Sequence, residues 1–217
     1  MEIYNTEEQQ AEAIKAWWKD NGKAIVLGAV LGLGGMFGWR AWNEHQHAQL
    51  EAGAVAYAGI VKSLAEQHDK AFPQAEAFIK QHAGSTYGDM AAMQLAAAAV
   101  KSGHLDVAAA QLQLVVDNSK NDALKPLAAV RLARVLGEQG KVPDALKLLE
   151  SVKDKAYATM VAEARGDLHL QQGDRAKAYA AYQDAADKAE GAVNPELQMK
   201  LDELTPLPAA TEEKTNA

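Results

Sequence analysis

The chain contains no cysteine, so it holds no CxxC pair and nothing in it would cross-link in a compartment that oxidises thiols. Many cytoplasmic proteins share that lack. HExxH and GxSxG, the patterns of zinc proteases and serine hydrolases, are also missing. The histidines at 45, 47, 68, 82, 104 and 169 are scattered, and His45 and His47, two apart, fall on different sides of a helix. The carboxylates suit solvated faces and helix starts. No catalytic residue, cofactor or metal site follows, and an enzyme is not expected. With a net charge of −7 and no basic stripe, the chain is a poor candidate for nucleic acid. Runs of β-branched residues are short, alanine is abundant, and proline stands singly at Pro73, Pro126, Pro143 and Pro195. That composition points to an all-α fold.

One long apolar run is present. Residues 24 to 39 (AIVLGAVLGLGGMFGW) carry no charge, with Trp17 and Trp18 before them and Trp39 and Trp42 at the far end. At about 1.5 Å per residue the run covers about 24 Å, short of the roughly 30 Å hydrocarbon core of a bilayer. Lys23 and Arg40 can extend to the headgroups, and tryptophan settles at the water–lipid boundary, so the segment can cross. A buried core helix and a secretion signal are the alternatives. A cleavable signal has a basic leader and a small-x-small site just after the run. Here the leader carries Glu7, Glu8 and Glu12, Gly38-Trp39-Arg40-Ala41-Trp42 follows, and Ala54-Val55-Ala56 lies too far downstream.

Lys15, Lys19 and Lys23 precede the run, whereas only Arg40 follows it closely, so the amino end is expected in the cytoplasm. Everything from residue 43 onward then lies outside, in the periplasm of a cell with two membranes. Within the run, Ala24, Gly28, Gly32 and Gly35 form one smooth stripe that suits close contact with another helix, its own copy or another membrane protein. Glycine is also simply common in membrane helices. Ahead of it, Thr6 can cap a helix over residues 7 to 20, with Gln9 as the reciprocal capping residue and Asn21-Gly22 ending it. Ala11, Ile14, Trp17 and Trp18 would rest that helix on the inner leaflet.

The outer part repeats. Gly103-His-Leu-Asp-Val-Ala108, Gly140-Lys-Val-Pro-Asp-Ala145 and Gly173-Asp-Arg-Ala-Lys-Ala178 share one register, in which a glycine closes one helix and an alanine lies inside the next. A large residue follows each alanine by four (Leu112, Leu149, Tyr182), and Val115, Val152 and Ala185 come three later. A weaker copy starts at Ala75, with Ile79. The alanines are spaced 33, 37 and 33 residues, close to the roughly 34-residue period of tetratricopeptide helix pairs. Leu95-Ala96 and Leu132-Ala133 match that repeat's large–small pair, but the third copy reads Arg165-Gly166. Asn194 and Pro195 can start a closing helix ending near Leu204. The chain thus divides into a cytoplasmic amphipathic segment (1–22), a transmembrane helix (23–42), a periplasmic tetratricopeptide-like α-solenoid (43–204) and a disordered tail (205–217).

In such solenoids the first helix of each pair lines the binding surface. The repeat register puts Tyr57, Ile60 and Leu64 there, then Met90, Met93, Ala97 and Val100. Leu127, Val130 and Arg134 follow, and finally Met160, Glu163, Asp167 and Leu170. This groove, largely apolar and containing methionine, suits an apolar peptide, an amphipathic helix or part of an unfolded chain. Apolar residues at helical spacing are as a rule core, so packing against a neighbouring helix is the competing account of each position. Carboxylates at Met93 and Val130 separate the two: weaker binding with helix kept marks a surface, and lost helix marks a core.

Short strings along nearly the whole chain carry a resemblance: Met1-Glu2-Ile3-Tyr4, Asn21-Gly22-Lys23, Gly38-Trp39-Arg40, Thr86-Tyr87-Gly88, Arg131-Leu132-Ala133-Arg134-Val135 and Arg165-Gly166-Asp167. In this order they resemble the YfgM proteins of Gram-negative bacteria, with departures mainly in the proline-containing tail. The resemblance implies an inner-membrane accessory subunit of the SecYEG channel, working with the periplasmic chaperone PpiD on emerging, unfolded polypeptide. It supplies no catalytic residues, and it also implies a link to the Rcs envelope-stress response. A scaffold for another envelope complex, or a regulator acting through the cytoplasmic helix, is the alternative role.

Overall fold

A computed structural model describes residues 7–189, 191 and 193–205. The chain forms two compact units, Met1–Val55 and Ala56–Ala217. The first helix, α1 (Glu7–Gln67), supplies residues to both.

In the first unit α1 carries the apolar run, and no other described segment covers it: Leu27, Leu31 and Phe37 are 61%, 67% and 62% exposed. Side chains of this kind gain from leaving water, as they would inside a bilayer or against another protein. It is the one helix among the described residues long and apolar enough to cross a membrane. The helix end expected at Asn21-Gly22 does not form, because α1 runs straight through both residues. Asn21 Nδ2 donates to the Trp17 carbonyl (3.0 Å) within the helix. The Trp18 indole covers Gly22, where a Cβ would meet the ring at 3.1 Å. The Thr6 cap lies outside the described residues. At its other end α1 stops at Gln67, where His68 takes φ 52°, a left-handed value unusual for a residue with a side chain.

The second unit is built from the last turns of α1 and eight further helices: α2 (Phe72–Gln81), α3 (Thr86–Lys101), α4 (Leu105–Asn118), α5 (Leu124–Glu138), α6 (Val142–Ser151), α7 (Ala158–Gln171), α8 (Arg175–Lys188) and α9 (Pro195–Leu204). No strand occurs among the described residues, as the composition predicts. The repeat register holds. Gly103, Gly140 and Gly173 have φ of 78°, 76° and 78°, conformations that a Cβ would strain. After each, the next residue's N–H reaches five residues back: His104 to Ala99, Lys141 to Leu136 and Asp174 to His169, at 2.8, 2.8 and 2.9 Å. That bond closes a Schellman turn and satisfies carbonyls at the helix end.

Inside the pairs, Ala75, Ala108, Ala145 and Ala178 are all fully buried, so the backbones of facing helices approach closely. Leu112, Leu149 and Tyr182 fill the same layer in successive copies. The third copy explains its own departure from the large–small pattern. Sixteen residues separate Ala96 from Leu112, Ala133 from Leu149 and Gly166 from Tyr182. A Cβ at Gly166 would stand 2.2 Å from the Tyr182 ring, so the alanine of the other copies gives way to glycine where tyrosine replaces leucine. Helix α9 begins as expected: Asn194 Oδ1 accepts from Leu197 N–H at 2.7 Å and Pro195 occupies the first turn. Leu197 and Leu204 bury against Ala178, Tyr182 and Ala185, closing the last pair. Tail residues 206–217 lie outside the described residues.

Candidate partner-binding surface

The residues expected to line the groove separate into three groups. Met93 (6% exposed) and Val130 (0%) are core: Met93 belongs to the cluster of Leu95 and Leu112, and Val130 to that of Leu149, Val161 and Leu168. Val130 therefore offers a partner no surface, and Met93 only a small edge of its side chain, so packing against neighbouring helices is the account that fits both. Leu127, Met160 and Leu170 are half-buried, each packed on the edge of a core cluster, and Met90 is also half-buried. Ala97 and Val100 are exposed, and Arg134 keeps 40% of its side chain in solvent. A stacked helix contacts its own partner and its neighbours on both sides, so only a narrow strip of the expected face stays open.

That strip borders two cavities. One of about 420 Å3 lies between α3 and α5, with Ala97, Val100 and Lys101 on one wall and Arg131 and Arg134 on the other. Met93 lies in its lining beside Leu112. The second, about 260 Å3, lies on the other side of α3 against Val61, Leu64 and His68. Gln94, Ala97 and Lys101 line both, so the two form one trough that crosses α3. Its lining includes Lys101, Arg131 and Arg134 but no carboxylate.

The acids expected on this face are engaged elsewhere. Lys200 Nζ of α9 stands 2.8 Å from Glu163, 2.9 Å from Asp167 and 3.4 Å from Glu196. Asp167 also accepts from the Tyr182 hydroxyl at 2.9 Å and stands 3.5 Å from Arg134 Nε. Burial alone would lower the Lys200 pKa, but hydrogen bonds to Glu163 and Asp167 outweigh it and raise the value, keeping the ammonium charged. Burial, reinforced by the Asp167 charge, pushes the Tyr182 phenol well above the ordinary tyrosine range. The cluster ties α5, α7, α8 and α9 together, and the sequence does not show it: only Glu196, four residues before Lys200, signals a pair. Arg131, one helical turn after Leu127, also lines the trough, although the repeat register does not place it on that face.

Among the described residues no group of His, Asp and Glu is placed to hold a metal ion. His104 and Asp69 form an exposed pair (2.9 Å), and hydrogen bonds from Ser102 and His104 hold the Asp69 carboxyl below its usual range. On α1, a Cβ at Gly28, Gly32 or Gly35 would meet nothing within 4 Å, so packing inside this chain does not require glycine there.

Comparison with known proteins gives a consistent picture. The family described as a tetratricopeptide repeat-like domain matches residues 15–206. A protein of Escherichia coli (strain K12) named ancillary SecYEG translocon subunit is 36% identical, over 94% of this chain and 100% of its own length. Relatives of the same name occur in Aggregatibacter actinomycetemcomitans (33% identical, 91% of this chain, 97% of the relative) and Haemophilus influenzae (29%, 91% and 97%). No solved structure matches.

Proposed function

The chain belongs to the YfgM family of tetratricopeptide repeat-like ancillary SecYEG translocon subunits, and from that premise we propose that it is a non-catalytic, single-pass membrane subunit associated with the SecYEG channel. The observation that carries this reading is similarity to the Escherichia coli subunit along that relative's whole length, anchor segment included. In this reading α1 crosses the inner membrane with residues 1–22 in the cytoplasm and the helical repeats in the periplasm. The excess of lysine before the apolar run supports that orientation. The trough across α3 then receives polypeptide: the periplasmic chaperone PpiD, a chain emerging from the channel, or both. Its apolar floor and open strip support this, since a stacked-helix surface with exposed Ala97 and Val100 can accept an apolar segment. The face of Gly28, Gly32 and Gly35 offers the close approach that a helix of a membrane partner would use.

Crosslinking in intact membranes, followed by gentle solubilisation and identification of the adducts, tests the reading. Channel subunits should be recovered with the chain, and their absence would defeat it. A tag on Ala217 should become accessible to added protease once the outer membrane is opened; continued protection would reverse the topology.

A further inference from the structure

Resting on the reading that the trough binds polypeptide, we propose that it selects apolar segments that carry acidic side chains and disfavours basic ones. The chain as a whole is acidic, with a net charge of −7. The trough departs from that average, because three cations line it and no carboxylate does. Lys101 and Arg131 are exposed, and neither has an ion-pair partner among the described residues. Arg134 is only loosely held, at 3.5 Å from an Asp167 that Lys200 already contacts at 2.9 Å. Asp167, the acid that Arg134 meets, is thus shared with Lys200, which also holds Glu163.

The apolar half of the preference rests on a separate observation. Among the described residues of the second unit, Val100 and Met199 are the exposed large apolar side chains, and Val100 lies in this trough. Beside it, Ala97 lines both cavities, and its small side chain lets a bound backbone approach the saddle closely. A segment with apolar residues over Ala97 and Val100 can place carboxylates against Lys101 and Arg131 from either side. Rim pairs of this kind are individually weak and are screened by salt, so they act on selectivity more than on raw affinity.

The test uses the full chain in nanodiscs of zwitterionic phosphatidylcholine and short fluorescent leucine–alanine peptides bearing glutamate, serine or lysine at matched positions. Fluorescence anisotropy should show the glutamate peptide binding about tenfold more tightly than the lysine peptide at low salt, with the gap closing at high salt. Lys101→Glu with Arg131→Glu should reverse that order, and Lys101→Ala with Arg131→Ala should abolish it. Val100→Ser should weaken all three peptides. Equal affinities for the acidic and basic peptides, or an order untouched by charge reversal, would overturn the proposal while leaving channel association standing. Failure of all three peptides to bind, by a chain that still crosslinks to the channel, would instead sink the underlying reading that the trough receives polypeptide, and the proposal with it.

Discussion

Adding one methyl group at Gly166 should destabilise the second unit, and shortening Tyr182 should remove that cost. A Cβ at 166 would stand 2.2, 2.3 and 2.9 Å from Tyr182 Cε1, Cδ1 and Cζ, so the ring must retreat by more than about 1 Å to reach ordinary contact. It has nowhere to go: Tyr182 is 1% exposed and its hydroxyl is held on Asp167. Overpacking of this kind costs about 1–3 kcal/mol, and replacing glycine by alanine within a helix returns up to about 1 kcal/mol. Gly166→Ala should therefore lose about 1–2 kcal/mol, a fall in Tm of about 2–8 °C for a unit of this size. Tyr182→Leu alone sacrifices the hydrogen bond to a carboxylate and should cost about 2–3 kcal/mol. On that background Gly166→Ala should be neutral or stabilising, because alanine with leucine is the pair at 96 and 112 and at 133 and 149. Urea unfolding of the full chain in detergent, followed by near-ultraviolet circular dichroism, measures the cycle. Equal cost of Gly166→Ala in both backgrounds would refute the reasoning.

Other substitutions separate core from surface. Lys200→Ala strands the buried Glu163 carboxylate and should cost about 2–4 kcal/mol; hydrogen exchange should quicken in α9 and leave α3 and α4 unchanged. Because Lys200 and Tyr182 both have raised pKa values, their contribution is full below the unfolded values of 10.5 and 10.0 and is lost as pH rises through the folded ones. Urea midpoints should therefore fall above about pH 10, less steeply in Tyr182→Phe. Val130→Glu, which buries an unpaired carboxylate in a site with no exposure, should abolish the cooperative transition. Ala97→Glu, on the open strip, should leave the far-ultraviolet signal unchanged.

Much of this molecule is legible in one dimension. The apolar run, the three glycine turns and the alanine spacing are local patterns whose physics depends on chain neighbours, so the helix pairs, their repeat register and the closing helix are legible in the sequence. Asn21-Gly22 shows where local reading misleads. Both residues favour helix ends, yet a side-chain bond to Trp17 and the Trp18 ring keep them inside α1. The face of each repeat helix was also readable, but not which of its residues stay open.

Exposure is decided by three neighbours at once, and the sequence lists only one of them. Met93 and Val130 share the periodicity of Ala97 and Arg134, but adjacent helices cover Val130 entirely and all but an edge of Met93, and leave the others open to the trough. Lys200 meets Glu163 and Asp167 across 37 and 33 residues, a pairing that no spacing rule connects. Periodicity thus determined the helices and the order of their stacking. Only the tertiary structure decided which charges neutralise one another and which remain for a partner, because Coulomb and packing energies depend on distance in space and not on separation along the chain.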